Sequence, residues 1–80
     1  MHFLIRGLLR FLIEISCADH VDTRKISLQF INILLGKLGE RSVDDDIFDE
    51  LTKCILERAQ DVQSKVRTAA IYAGRRLQNP

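Results

Sequence analysis

The chain has no tryptophan, one proline and two cysteines among its 80 residues, and each shortage removes a class of answer. Without tryptophan, and with four phenylalanines and one tyrosine scattered along it, the sequence offers no aromatic platform for single-stranded nucleic acid. The one proline is the last residue and there are only four glycines. Runs of β-branched residues between turn signals are scarce, so helices are favoured over sheet. Cys17 and Cys54 lack metal spacing and form no Cys-x-x-Cys pair, and they read as small hydrophobes in a reducing compartment. His2 and His20 stand far apart with no cysteine, serine or carboxylate constellation around them. No phosphate loop, Gly-x-Ser-x-Gly or His-Glu-x-x-His motif is present. The residues therefore support no enzyme, no cofactor, no metal and no small-molecule substrate.

A long apolar run is also missing. The segment 3–17 comes nearest, but Arg6, Arg10 and Glu14 interrupt it at four-residue spacing. Two central arginines cost about 5–7 kcal/mol on an insertion scale, against about 3–5 kcal/mol gained from the large apolar residues. The run is too short to span a bilayer and lacks the uncharged core of a signal peptide. The expectation is an amphipathic helix and no membrane. Net charge is +1, so the whole-chain balance points neither to nucleic acid nor to acidic partners.

What is present is helical periodicity. Apolar residues make up 46% of the chain and charged ones 29%, the proportions of a folded protein, and the length allows one small domain at most. A first helix is predicted over about 3–16. Leu4, Leu8, Phe11, Leu12 and Ile15 form one stripe, and Ile5, Leu9 and Ile13 a second. The ridge of Arg6, Arg10 and Glu14 is left for water, with Arg10 and Glu14 able to pair. After the turn 18–22, Asp22 is the expected N-cap of a second helix over 23–38. Ile26, Phe30, Ile33, Leu34 and Leu38 line one of its faces, Leu28, Ile31 and Leu35 another, and Gly39 stops it. Ser42 with Asp45 resembles a capping box, and Asp44, Asp45 and Asp46 read as first-turn carboxylates favoured by the helix dipole rather than as a divalent-cation site. A third helix over 45–58 puts Ile47, Phe48, Leu51, Cys54, Ile55 and Leu56 inside. A fourth over 64–78 carries Val66, Ala69, Ala70, Ala73, Gly74 and Leu77, small enough for close helix approach. Asp61 sits where a short acceptor caps a helix start, and Tyr72 lies beside the stripe, placed to cover a neighbouring repeat.

An offset of 43 residues superposes Arg24 on Arg67, and with them Leu4 on Ile47, Leu8 on Leu51, Phe11 on Cys54, Ile26 on Ala69 and Phe30 on Ala73. Two antiparallel helices per unit at this period fall in the range of HEAT and armadillo repeats. The fold class expected is all-α: an α-solenoid segment of two HEAT-type antiparallel hairpins, about 3–38 and 44–78. Arg24 and Arg67, at equivalent positions, are the expected joints between repeats, bridging acidic turns at Asp19 and Asp61. Lys25, Lys37, Lys65, Arg75 and Arg76 fall off the main stripes and read individually as solvated surface charges; they become candidates for DNA phosphate only through the resemblance given next, by a contact that would be sequence-independent and salt-sensitive.

The stretch from Arg24 through Leu34-Leu35-Gly36, then Val43-Asp44-Asp45-Asp46-Ile47-Phe48-Asp49, then Val66-Arg67 and Arg76-Leu77-Gln78-Asn79-Pro80, resembles the chromosome-associated protein G family of condensin subunits. The segment around Leu4, Leu8, Leu9, Phe11 and Leu12 is similar too, so the resemblance covers nearly the whole chain. Asn79 stands where the family usually has aspartate, a conservative departure. The resemblance implies a two-repeat piece of a longer, bent HEAT array, or a short relative of one. It implies a non-enzymatic regulatory scaffold that binds the kleisin subunit and double-stranded DNA, beside the other condensin subunits, in mitotic chromosome condensation. ATP hydrolysis would rest with those partners. The location implied is the nucleus and mitotic chromosome, with a cytoplasmic pool. A HEAT adaptor of another kind, a transport or phosphatase scaffold that binds peptides without DNA, is the competing reading.

Repeats contact only their neighbours, and about three or more are usually needed for stability. With no polar capping helix at either end, the isolated chain is expected to be poorly soluble, to self-associate or to melt without clear cooperativity. A sharply melting monomer in calorimetry would show instead that two repeats suffice.

Overall fold

Extended residues hand the chain over to helix four times. His2, His20, Asp44 and Gln63 hold ψ between 125° at His20 and 148° at Asp44, and a helix follows each. The computed structural model describes residues 1–39 and 43–77, and over them the helices are α1 (Phe3–Ile15), α2 (Val21–Leu38), α3 (Asp45–Arg58) and α4 (Ser64–Arg75).

The caps differ from the sequence expectation in instructive ways. The ring Nδ1 of His2 accepts the Leu4 amide at 3.1 Å and starts α1. Asp22 is not the N-cap of α2: that position is His20, and Asp22 lies inside the first turn. There its charge still faces the positive end of the helix, while its carboxylate is free to take Lys65 from α4 at 2.9 Å. Asp44 precedes α3 but caps none of its amides, because its carboxylate is held by Arg6. Ser42, and with it the expected capping box, lies outside the described residues. Asp61 does not cap α4 either. Gln63 occupies that position, and Asp61 accepts the Gln63 amide at 2.9 Å, which stiffens the turn before the helix. Gly39 ends α2 with φ 77°, the one positive φ among the described residues and a conformation that glycine adopts without strain.

The helices pair as two antiparallel hairpins, α1 with α2 and α3 with α4. The hairpins then stack, α2 along α4 most extensively and α1 along α3. The smallest dimension of the molecule, 18 Å, is that of two helix layers. One core runs through the stack. It takes Leu9 and Leu12 from α1, Leu28, Ile31 and Leu35 from α2, Ile47, Leu51, Cys54 and Ile55 from α3, and Val66, Ala69, Ala70 and Ala73 from α4. The small α4 residues bring its backbone close to α2, as their size suggests.

Several stripe residues expected inside are outside. Leu4, Leu8 and Phe11 of α1, Ile26, Phe30 and Ile33 of α2, and Phe48 and Leu56 of α3 are exposed. The reason is the stacking order. Each hairpin has one neighbour, so only one of its two apolar faces is covered. Leu4 and Leu51 show the asymmetry well, because Leu4 is 65% exposed although its 43-residue counterpart Ile47 is buried, and Leu51 is fully buried although its counterpart Leu8 is exposed.

Leu51→Ala should therefore cost about 2–5 kcal/mol in denaturant unfolding of the dilute chain. Leu4→Ala, on the open face, should cost less than about 0.5 kcal/mol.

Candidate functional site

Most of the charged side chains with defined partners lie where the two hairpins meet. The most buried of these contacts is at the turns. Arg24, on the second turn of α2, sends Nε to Asp61 Oδ2 at 2.8 Å and Nη2 to Asp61 Oδ1 at 3.1 Å, a two-pronged fork on one carboxylate. Its Nη1 donates to the main-chain carbonyls of Ala18 at 2.9 Å and Asp19 at 2.7 Å. Asp19 thus enters the joint by its backbone, while its side chain stays exposed, unlike the acidic bridge drawn from the sequence. Only 11% of the Arg24 side chain and 3% of the Asp61 side chain are exposed. Arg58 Nη1 adds a longer contact to Asp61 at 3.3 Å. The Arg24 guanidinium holds the Asp61 carboxyl below its ordinary pKa. Burial opposes that shift, and the Gln63 amide supports it.

Arg67 occupies the counterpart of Arg24 in the second hairpin, and its described bond is local. Its Nη1 donates to the Asp61 carbonyl at 2.8 Å, six residues upstream, as Arg24 does to Ala18. The same local anchor is therefore present in both units, and in the first unit it also carries the fork to the next hairpin.

A second ladder joins α1 to α3. Arg6 reaches Asp44 at 2.7 Å and both oxygens of Asp46 at 2.9 and 2.7 Å. Arg10 reaches Asp46 at 3.2 Å and Glu50 at 3.3 Å. This corrects two expectations. The Arg6–Arg10 ridge does not simply face water, and Arg10 pairs across the hairpins rather than with Glu14. Sequence reasoning missed the ladder, although a signal existed: Arg6 and Arg10 are four apart on one helix, and Asp46 and Glu50 four apart on another, so each pair shares a face. Arg6 lowers the Asp46 pKa to about 2 and also lowers that of Asp44, while the Arg6 guanidinium is held more firmly protonated in return. The aspartate run is thereby explained, with Asp44 and Asp46 serving arginine. Among the described residues no group of three or more His, Cys, Asp and Glu is placed to hold a metal.

The five phosphate candidates fall into two groups. Lys25 and Lys65 lie at the N-terminal ends of α2 and α4, where Lys65 is paired with Asp22 and Lys25 adds to the field on the same carboxylate. Lys37, Arg75 and Arg76 lie at the opposite ends. Twelve residues of helix, about 18 Å, separate Lys25 from Lys37, so the five do not form one patch. Arg76 Nε donates to Asn32 Oδ1 of α2 at 2.9 Å, with its guanidinium against Gly36. Arg75 sits 5.1 Å from the centre of the Tyr72 ring, on the exposed side of α4. Lys37 is exposed.

The two cysteines are free, Cys17 exposed and Cys54 buried. Cys54 Sγ lies 2.9 Å from Ser16 Oγ, a hydroxyl that itself donates to the Ile13 carbonyl. Burial pushes the Cys54 thiol up, which favours the neutral, unreactive form. Among the described residues no helix is long and apolar enough to cross a membrane.

Asp22, Asp44, Asp46 and Asp61 are all held below the ordinary carboxylate value. The stability they confer is therefore complete above the ordinary carboxylate pKa of about 4 and is lost as pH falls through their folded values, toward pH 2 for Asp46. Urea midpoints measured from pH 6 down to pH 2 should fall across that window. Arg24→Ala, which strands a buried carboxylate with only Arg58 beside it, should cost about 2–4 kcal/mol at neutral pH. The same truncation at exposed Lys65 should cost less than about 1 kcal/mol.

No family model and no solved structure matches the chain. Condensin complex subunit 3 of Homo sapiens is 37% identical to it over 78 residues, 96% of this chain and 8% of that protein. The Xenopus laevis protein of the same name is 38% identical over 77 residues, 95% of this chain and 7% of its own length. The chain thus spans less than a tenth of the relatives it matches.

Proposed function

The chain belongs with the condensin complex subunit 3 family, as the match of one short segment of it, and on that premise we propose that it is a non-enzymatic scaffold element of a condensin-type assembly. Its place is the nucleus and the mitotic chromosome, with a cytoplasmic pool, and its partners are the other condensin subunits, the kleisin subunit among them, and double-stranded DNA. The observation that carries this reading is the likeness along nearly the full chain to two proteins named as condensin subunits. The side-chain chemistry supports it. The buried Arg24–Asp61 fork and the Arg6–Asp46 ladder hold one helical hairpin on the next, which is the work of a scaffold. As in the sequence reading, the two hairpins form a piece of a longer HEAT array.

DNA contact, on this reading, falls to exposed cations without a carboxylate partner. Lys37 and Arg75 meet that condition best, because Lys65 is already paired with Asp22 and Arg76 bonds Asn32. Lys25 and Lys65 would form a separate, weaker contact at the far end of the same helix pair. Binding through such residues tracks the phosphate backbone and carries no base sequence.

Salt titration of duplex DNA binding tests this. Affinity should fall steeply with salt, and Lys37→Ala and Arg75→Ala should each lower the log–log slope by about one. Absent or salt-independent binding would remove DNA from the reading. Co-purification with a kleisin fragment, lost on Arg24→Ala if the stacked hairpins form that surface, tests the protein contact separately.

A further inference from the structure

The two cysteines of the chain meet at the seam, on either side of one hydroxyl. Ser16, fully buried where α1 ends, brings its Oγ within 2.9 Å of Cys54 Sγ and 4.0 Å of Cys17 Sγ. The two sulfurs are therefore no farther apart than those two distances together. Both cysteines also line one open cleft, with Ile13 from α1 and Glu50, Lys53 and Glu57 from α3. Cys54 is buried inside α3, in the second hairpin, whereas Cys17 belongs to the turn between α1 and α2 and is exposed. The repeat does not produce this meeting. At an offset of 43 residues Ser16 and Cys17 correspond to Ala59 and Gln60, and Cys54 to Phe11, so the second hairpin carries no copy of it.

We propose that Cys17 and Cys54 are a reversible disulfide site that locks the first hairpin to the second, formed by exchange with a small-molecule disulfide such as oxidised glutathione. The exposed Cys17 thiolate attacks that disulfide, which forms a mixed disulfide and releases one glutathione thiolate. Cys54 then attacks the Cys17 sulfur. The Cys17–Cys54 bond forms, the bond to glutathione breaks, and the second glutathione leaves as thiolate. The protons lost by the two cysteines pass through solvent to the released thiolates. Two protein thiols are thus oxidised and one glutathione disulfide is reduced. The order follows exposure, because Cys54 is closed to a bulky oxidant yet open to its neighbour Cys17. Burial keeps Cys54 protonated and slows the second step, while the Ser16 hydroxyl favours the thiolate and attack within one molecule gains from proximity. A disulfide needs its sulfurs about 2 Å apart, and Cys17, on a turn, is the partner that can move while α3 stays in place. In a reducing compartment the thiols are the resting state, and the bond answers an oxidising shift. The site needs only the seam, so it stands apart from any contact with DNA or kleisin.

Equilibrating the intact, dilute chain in mixtures of oxidised and reduced glutathione, then mapping its peptides by mass spectrometry without reduction, tests the proposal. A Cys17–Cys54 cross-link within one molecule is expected, reversed by excess reduced glutathione. The equilibrium constant for closing it should be about thirtyfold or more higher in native buffer than in concentrated urea, because the fold holds the two residues together and the bond in turn holds the fold. Cys54→Ser should stop at the mixed disulfide on Cys17. Cys17→Ser should leave Cys54 unmodified in native buffer and modified in urea, which shows that Cys17 is the point of entry. A native chain that stops at the mixed disulfide overturns the proposal. So does one that links two molecules through Cys17, one that stays as free thiols, or one that closes the bond no more readily in native buffer than in urea.

Discussion

The fork between Arg24 and Asp61 is the contact on which the arrangement of the two hairpins depends. A carboxylate as buried as that of Asp61 is costly unless its oxygens are fully used, and here Arg24, Arg58 and the Gln63 amide use them. The apolar seam around it is less selective. Ala69, Ala70 and Ala73 present a smooth surface to α2, along which a shift of one turn would still bury methyl groups. The fork admits no such shift, because a guanidinium displaced by a helical turn, about 5 Å, leaves the carboxylate stranded. Hydrophobic burial thus supplies most of the stability, and the ion pair selects the register. The Arg6–Asp46 ladder adds a second point of alignment on the α1/α3 side, so that both layers are pinned.

This division explains what the sequence could and could not reveal. Helix number and helix type were legible because each rests on local periodicity, and the described residues hold the four helices expected. Faces were not legible. The two stripes on α1 are almost equally apolar, and nothing in periodicity says that Leu9 and Leu12 are covered while Leu4 and Phe11 are not. That choice is made by which side the neighbouring hairpin takes, a long-range fact. Caps were misread for a related reason. Asp22 is a good N-cap residue by type, yet its carboxylate is drawn away by Lys65 on another helix, as that of Asp44 is by Arg6. A short polar side chain at a helix start can serve the helix or its neighbour, and local sequence cannot choose between them.

A net charge of +1 gave no reason to look for nucleic acid, but that sum mixes charges of different kinds. Arg6, Arg10, Arg24, Arg58 and Lys65 are neutralised by carboxylates inside the molecule, and four of those five act across the seam. Among the exposed cations without a carboxylate partner, Lys37 and Arg75 each lie in a last helical turn and offset the negative end of the helix dipole. A near-neutral sum is therefore compatible with a local positive region, whose strength depends on how many pairs the fold has already satisfied.

Local anchoring also shows how the motif can extend without redesign. Arg24 and Arg67 are each fixed by a carbonyl six residues upstream, so the guanidinium is oriented by its own hairpin before any neighbour arrives. An arginine oriented in advance loses less side-chain entropy when the second hairpin docks, which strengthens the fork relative to a free pair. The same anchor stands at both units, but only the first meets a carboxylate within the described residues. The difference between the two arginines thus lies in the neighbour rather than in the site, as it does for Leu4 and Ile47 in the apolar layer. Polar and apolar layers obey one rule: each unit is built to be covered on both sides, and what a residue does is decided by whether the adjoining side is filled.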